Sequence, residues 1–371
     1  MNRVARILRP AAAILALLAM QLGMALGAQS WRIARAPYRY VFPRDHFAHD
    51  AYRTEWWYFT GQLRGRDGRR YGFELTFFRI GIRPHPYRVE PGASAWRAAQ
   101  LYSAHFAITD ISDRKFFYAE TLARDALGQG YASQRRLLVR VNGWSLRGNA
   151  ATEPTMHLHA SARGDSMDLS VVPEKPPAIE GPGGISRKGA CPSCASHYYS
   201  FTRLRASGTL RVDGRREVVR GVAWMDHEYG SDELSPGQVG WDWFSIQLND
   251  RREIMLYRMR EKNGTTTPQS SGTIVARDGR PTYLSPRDFH ITATGTWRSP
   301  HTHALYPSGW VVRVAGISEP LRVVPVLDDQ ELAGVGATYW EGAVRVFDAR
   351  NGRPLGRGYV ELTGYAGAIS L

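Results

Sequence analysis

"EWWYFTGQLRGRDGRRYGFELTFFRI", residues 55–80, reads as two alternating runs joined by a polar turn that contains Asp67 and Gly68. Alternation at period two marks a strand with one buried face, and an Asp-Gly pair suits the positive φ angles of a tight hairpin. The pattern recurs. "SAHFAITDI", the turn "SDRK" and "FFYAETL" form a second pair, and "RLLVRVNGWSL", "MHLHASARGDSMDLSVV" and "SGTLRVDGRREVVRGVAWM" continue the meander. No window of a dozen residues carries a convincing helical period except around the N-terminal leader. With 37 glycines and 21 prolines favouring turns over long helices, the sequence predicts an all-β protein built of antiparallel sheet.

A length of 371 residues suggests two domains, each large enough for its own core. Internal similarity says where they divide. "WWYFTGQL", Trp56 to Leu63, matches "WDWFSIQL", Trp241 to Leu248, at Trp, Phe, Gln and Leu. "SGTLRVDGRREVVRGVAWMDHEYG" matches "EGAVRVFDARNGRPLGRGYVELTGYAG", with Gly208 on Gly342, Val212 on Val346, and Arg220-Gly221 on Arg357-Gly358. The expected organisation is a leader over 1–28, a lead-in over 29–51, and two related β domains over 52–230 and 231–371. The leader has Arg3, Arg6 and Arg9 ahead of an apolar run, the layout of a secretory signal peptide. Export to a bacterial periplasm or the medium is therefore expected, and no second hydrophobic segment approaches the roughly 20 residues of a transmembrane helix.

The formal net charge of +14 invites a nucleic-acid reading, but an exported protein meets no genome. The bases are almost all arginines; only Lys115, Lys175, Lys188 and Lys262 are lysines, and most arginines fall in turns where solvation accounts for them. If the charge has a partner, anionic lipid headgroups or envelope polymers, including a membrane transporter assembly, fit better than nucleic acid. "CPSC" holds both cysteines, Cys191 and Cys194, in a Gly/Pro-rich stretch without the strand-to-helix setting of a redox motif. A local disulfide is expected there. A zinc site using His197 lacks a fourth ligand in the local sequence, and no metal or cofactor is expected.

"GVAWMDHEYGSDE", Gly221 to Glu233, is the stretch richest in chemistry, with Asp226, His227 and Glu228 in a row. The alignment of the two repeats sets Thr363, Gly364 and Tyr365 opposite this triplet, so the acids read as an addition to one copy. Strand alternation puts Trp224, Asp226 and Glu228 on one face, and Met225, His227 and Tyr229 on the other. If either face looks into a barrel, it displays an acid pair beside an indole or an imidazole beside a phenol. The competing reading is structural: a wet strand end, or an ion pair with one of the many arginines.

The runs "YRTEWWYFTGQL", "YGFELTFFR", "SAHFAITD", "AWMDHEYGSDEL", "GWDWFSIQL", "YWEGAV" and "GRGYVELTGY" together resemble the AttH-like, carotenoid 1,2-hydratase-related family of lipocalin-like proteins. The resemblance spans nearly all of the chain after the leader, and implies two tandem lipocalin-like antiparallel β-barrels. In the hydratase branch an aspartate-bearing signature corresponds to Gly221 to Gly230, and a further acid is implied on the strand that follows. Here that strand reads "REIMLYRMR", with Tyr257 and no aspartate.

Hydration of an isolated alkene needs a proton delivered to carbon, and a carboxylic acid in a dry apolar pocket has its pKa raised enough to hold that proton. Asp226 is the candidate acid, with His227 or Glu228 orienting it or activating water. Trp57, Trp224 and Trp241 could stabilise a carbocation by roughly 1–2 kcal/mol each if desolvated. The same acids would serve ester hydrolysis through activated water; no Gly-x-Ser-x-Gly elbow occurs. Glu55, Trp57, His105, Trp224, Tyr229, Trp241, Asp242 and Tyr257 are the candidate ligand contacts. Glu55 alternatively pairs with a buried arginine such as Arg79, and His105 is alternatively a core histidine bonded to a backbone carbonyl. The "HLH" and "HTH" pairs, His157 with His159 and His301 with His303, have same-face spacing but no nearby acid. Two functions compete: an enzyme with its acids inside a pocket, and a non-catalytic carrier or scaffold with a purely apolar lumen.

Overall fold

Every long element is a strand in the computed structural model, which describes residues 30–84, 97–232, 234–334 and 336–367. The leader lies outside the described residues. Two short 3-10 turns, Arg44–His46 and Pro182–Gly184, are the sole helical segments among those described. The strands form a thirteen-stranded antiparallel sheet, a ten-stranded one, and a two-stranded ribbon.

In the larger sheet, the opening strand Thr54–Gly65 lies between Arg70–Gly81 and the closing strand Arg215–Gly230. Because the first and last long strands are neighbours, the sheet curls back on itself. The two ends of the strand path are drawn together by Asn142, whose Nδ2 donates to Thr121 Oγ1 at 2.6 Å and to the Leu122 carbonyl at 3.2 Å. The second sheet repeats the plan, with Gln238–Leu248 between Glu253–Glu261 and Pro354–Thr363. The result is two nearly closed antiparallel barrels, as the sequence pattern predicts. The turn at Asp213-Gly214 has φ of 49° and 75°, the left-handed pair that a two-residue hairpin requires.

The lumens are full. Alternation sends Trp57, Phe59 and Leu63 into the first barrel, where they meet Phe73, Phe77, Phe106 and Met225. Each such side chain contributes roughly 1.5–3 kcal/mol by leaving water. Phe244, Leu256, Trp310 and Val344 fill the second barrel in the same way. The expectation of a ligand carried inside a barrel is corrected accordingly: packed aromatics occupy that space.

The opposite faces of the opening strands meet at the junction of the barrels. Tyr58, Tyr198, Trp224, Trp243, Met255 and Tyr257 form a third buried cluster there. The glutamine shared by the two repeats acquires a purpose at this seam. Gln62 Nε2 donates to the Val344 and Gly358 carbonyls of the second barrel at 2.9 and 3.0 Å. Reciprocally, Gln247 Nε2 donates to the Thr202 and Ala223 carbonyls of the first at 2.8 and 2.9 Å. Such an exchange of like contacts has the logic of a two-fold dimer interface, written within one chain. Gly72 permits the close approach, since a Cβ there would lie 2.5 Å from the Tyr359 hydroxyl.

Strand register corrects the alignment of the repeats. Tyr58 faces Asp226 in the first barrel, and Trp243, its counterpart in the Trp-rich strand, faces Glu361 in the second. The partner of Asp226 is therefore Glu361, and that of Glu228 is Thr363. Matching the Arg-Gly pairs displaced the alignment by two residues, because the second hairpin carries a longer turn and a bulge at Val346/Phe347. A shift of two preserves the strand face and changes the depth, which is why the sequence match looked consistent.

Candidate active site between the barrels

Asp226 and Glu228 point into the seam together with Trp224, while His227 and Tyr229 point into the first barrel. A cavity of ≈ 70 Å³ opens at the seam. Trp56, Tyr58, Phe78 and Tyr198 wall it from the first barrel, and Trp241, Trp243, Tyr257 and Met259 from the second. Asp226, Glu228 and Glu361 supply carboxyls, Lys188 an ammonium, and Leu234 of the inter-barrel connector closes one side.

Asp226 is held by three donors. Ser200 Oγ and Trp224 Nε1 donate to Oδ1 at 2.5 and 2.7 Å, and the Tyr198 hydroxyl donates to Oδ2 at 2.9 Å. Trp243 Nε1 donates in turn to the Tyr198 oxygen at 3.1 Å, so each barrel's indole supports the same acid. Burial nevertheless dominates these bonds and pushes the Asp226 pKa up to about 7, with the neighbouring Glu228 charge adding to the rise. No arginine contacts Asp226 among the described residues, which removes the ion-pair reading of this aspartate. Glu228 differs: Ser196 Oγ donates to it, and Lys188 Nζ lies 2.9 Å away. That ammonium also sits 4.1 Å from the Tyr257 ring centroid and 4.8 Å from that of Tyr198.

Glu361, the Asp226 counterpart, accepts from Trp241 Nε1 at 3.0 Å. Its pKa is also raised to about 7, chiefly by burial and then by Glu74, Asp226 and Glu228. Glu341 behind it accepts from the Tyr58 hydroxyl at 2.7 Å and is pushed well above the carboxylate range by burial and by Glu361. The seam thus holds a set of buried acids inclined to keep their protons.

The "CPSC" loop has a place in this arrangement. Cys191 and Cys194 form a disulfide with Cα atoms 5.1 Å apart. The Cys194 carbonyl accepts from the Lys188 amide at 2.9 Å, and Gln238 Nε2 holds the Lys188 carbonyl at 2.9 Å. The loop therefore sets the backbone from which Lys188 reaches the cavity.

Other candidates fall elsewhere. Trp57 is core, stacked on His227 at 4.8 Å and donating to the His46 carbonyl. Glu55 binds Arg79 at 2.9 Å, His49 Nδ1 at 2.8 Å and His227 Nε2 at 2.9 Å inside the first barrel. Burial opposes charge on Glu55, but Arg79 and the two imidazoles prevail and lower its pKa. His49 is raised despite burial by Asp45 and Glu55, whereas burial lowers His227. His49, Glu55 and His227 bring ligand atoms within 4.8 Å of one another, but the Arg79 guanidinium on the same carboxylate sets a positive charge against any cation. They form an ion-pair network, with His227 and Glu55 well away from the cavity wall. Tyr229 stacks on His49 at 3.6 Å in the same network. Asp242 is bound by Arg258 and Arg260 and by the Tyr365 hydroxyl. His105 Nδ1 lies 2.7 Å from the Tyr339 hydroxyl of the second barrel and Nε2 3.5 Å from Glu120 of its own barrel, so its partners are side chains and not a backbone carbonyl. His159 and His301 pair singly with Asp168 and Asp329 at the surface.

Of the proposed residues the structure brings Asp226, Glu228, Trp241 and Tyr257 to the cavity, with Trp224 directly behind Asp226. Sequence reasoning missed Tyr198, Trp243, Lys188 and Glu361. The repeat carried the signal for Trp243 and Glu361, and correct register would have revealed both.

Two tandem, nearly closed barrels that meet over an acid-lined, aromatic cavity define a lipocalin-like protein whose candidate site lies at the junction. The chain belongs to the AttH-like family, whose model matches residues 33–365. It is similar to the crystal structure of an AttH-type protein from Nitrosomonas europaea, with 32% identity, a TM-score of 0.80, and coverage of 90% of this chain and 99% of that one. It shares its fold with kievitone hydratase from Nectria haematococca at 15% identity and a TM-score of 0.67, over 91% of this chain and 97% of that one. No curated protein matches the sequence.

Proposed function

We propose that the protein is exported to the cell envelope and binds an apolar, lipid- or isoprenoid-like molecule at the seam, where Asp226 protonates an alkene and water adds to the cation. The observation that carries this reading is a neutral-leaning carboxyl, Asp226, set in a buried cavity walled by indoles and phenols. The proton on Asp226 passes to the less substituted alkene carbon, leaving a tertiary cation and an aspartate. Water attacks the cation, and its surplus proton returns to the Asp226 carboxylate, directly or by way of an ionised Glu361 that passes it on, so the acid is regenerated. Trp241 and Trp243 line the cavity, and an indole face turned to the cation would stabilise it by roughly 1–2 kcal/mol in a dry site. A cavity of ≈ 70 Å³ is small beside ligand pockets of roughly 300–1,000 Å³, so it seats the reacting end of a longer molecule.

Native extraction and mass identification of what copurifies with the mature protein tests this. An unsaturated apolar molecule, converted by wild type but not by Asp226→Asn to a product heavier by one water, is the expected result. An apolar ligand that both proteins bind and neither changes would reduce the protein to an envelope carrier or a transporter-associated scaffold. A hydrophilic ligand would overturn the reading.

A further inference from the structure

A second cleft lies at the far end of the same seam. Its volume is ≈ 280 Å³, and Arg64, Arg70, Arg220, Arg345 and Arg357 line it without any acid. Arg64 is six residues beyond Tyr58 on one strand, about 20 Å at the usual rise, so the cleft is separate from the acid cavity. The Gln62 latch stands between them.

Strand register sets these arginines against one another. Arg64 is directly opposite Arg70 on one side and Arg220 on the other, and Arg345 is directly opposite Arg357 in the second barrel. Like charges in facing positions of a sheet destabilise it. Two such sets, one from each barrel, converge on one cleft. Other clustered guanidiniums are paired, since Arg69 and Arg215 share Asp110 and Asp113, and Arg258 and Arg260 share Asp242, although Arg211 and Arg216 face each other at an exposed hairpin tip without an acid among the described residues. None of the five cleft arginines has an ion pair among the described residues. The contacts found are weak, a 3.4 Å bond from Arg64 Nε to the Gly68 carbonyl and the Arg345 guanidinium 5.5 Å from the Phe347 ring centroid.

We infer that this cleft binds a multiply charged phosphate or diphosphate group. A single carboxylate neutralises one of the five charges, whereas a phosphate-type oxyanion offers several acceptor oxygens and two or more charges to planar, bidentate guanidiniums. The group comes either from a soluble phosphate compound or from an anionic lipid headgroup; both present the same oxygens.

The test uses the mature chain, inorganic pyrophosphate in a calorimetric titration at low salt, and sedimentation with phosphatidylcholine vesicles with and without phosphatidic acid. The Arg64→Gln/Arg345→Gln variant removes one guanidinium from each barrel and should lower affinity at least about tenfold, since each charge-assisted bond is strong. Its melting temperature should equal or exceed that of wild type, because facing like charges are relieved; if it misfolds, Arg220→Gln/Arg357→Gln replaces it. Variant-sensitive pyrophosphate binding without sedimentation assigns a soluble phosphate. Variant-sensitive sedimentation on phosphatidic acid vesicles assigns a headgroup. If neither probe binds wild type, or if binding is indifferent to both double substitutions, the inference falls.

Discussion

Asp226→Asn separates a neutral buried acid from an ionised one through the pH dependence of stability. The folded-state pKa is raised from 3.8 to about 7. Between those values the folded protein retains a proton that the unfolded chain has released. The stabilisation is therefore fully present below about pH 4, declines as pH rises, and is gone above about pH 7. The slope is about 1.4 kcal/mol per pH unit, which over this window amounts to about 4 kcal/mol. Asparagine does not titrate. At pH 4 the variant should be less stable by about 1 kcal/mol, because its amide nitrogen replaces Oδ2 and the Tyr198 hydroxyl must reverse its bond. Raising the pH to 8 should move the variant-minus-wild-type difference by about 4 kcal/mol in the variant's favour. Urea denaturation of both proteins at pH 4, 6 and 8 measures this, and subtraction cancels the histidines and other acids that titrate alike in both. A difference that stays flat would show Asp226 ionised in the folded protein, and the acid role would go with it.

Glu361→Gln should reproduce the same pH trend in the difference, since burial raises Glu361 similarly to about 7. Gln247→Ala should cost roughly 1–3 kcal/mol in urea denaturation, because the buried Thr202 and Ala223 carbonyls lose a donor that solvent cannot replace. Glu55→Gln leaves Arg79 buried without its carboxylate and should cost roughly 3–5 kcal/mol; a melting temperature unchanged within a degree or so would show that the network is incidental. Thiol titration of exported, unreduced protein should find neither Cys191 nor Cys194 reactive, and two free thiols would remove the loop staple that sets Lys188.

Much of the fold was legible because period-two alternation and Asp-Gly turns act locally. The Trp-rich strand repeats revealed two related units, and the shared Gln62 and Gln247 were visible before their latch was known. The site was harder to read. Alternation correctly divided Asp226 and Glu228 from His227, but it could not say that the acid face meets a second barrel while the imidazole face enters a lumen. Both faces carry aromatic neighbours, and only the packing of Phe73, Phe77 and Phe106 decides which side is filled. Tyr198 and Lys188 gave no sequence signal of their own. Their roles arise from long-range pairing of Ala195–Val212 with Arg215–Gly230 and from the disulfide loop.

Duplication also accounts for the character of the acids. A barrel that buries its lumen with aromatics has no room there for a reaction, but its outer face, once copied and folded against its twin, becomes a dry interior. Each copy brings one carboxyl to that interior at the same register position, Asp226 from the first and Glu361 from the second. Each is bound by an indole of its own barrel, Trp224 or Trp241. Burial raises Glu361, and the charges of Glu74 and then Asp226 add to the rise, so ionisation of one acid of the seam disfavours ionisation of Glu361. The copies then diverge by one position: Glu228 with Lys188 stands where the second barrel has Thr363. That difference places the Glu228–Lys188 ion pair on the first barrel's side of the seam, so the two-fold cavity has distinct ends.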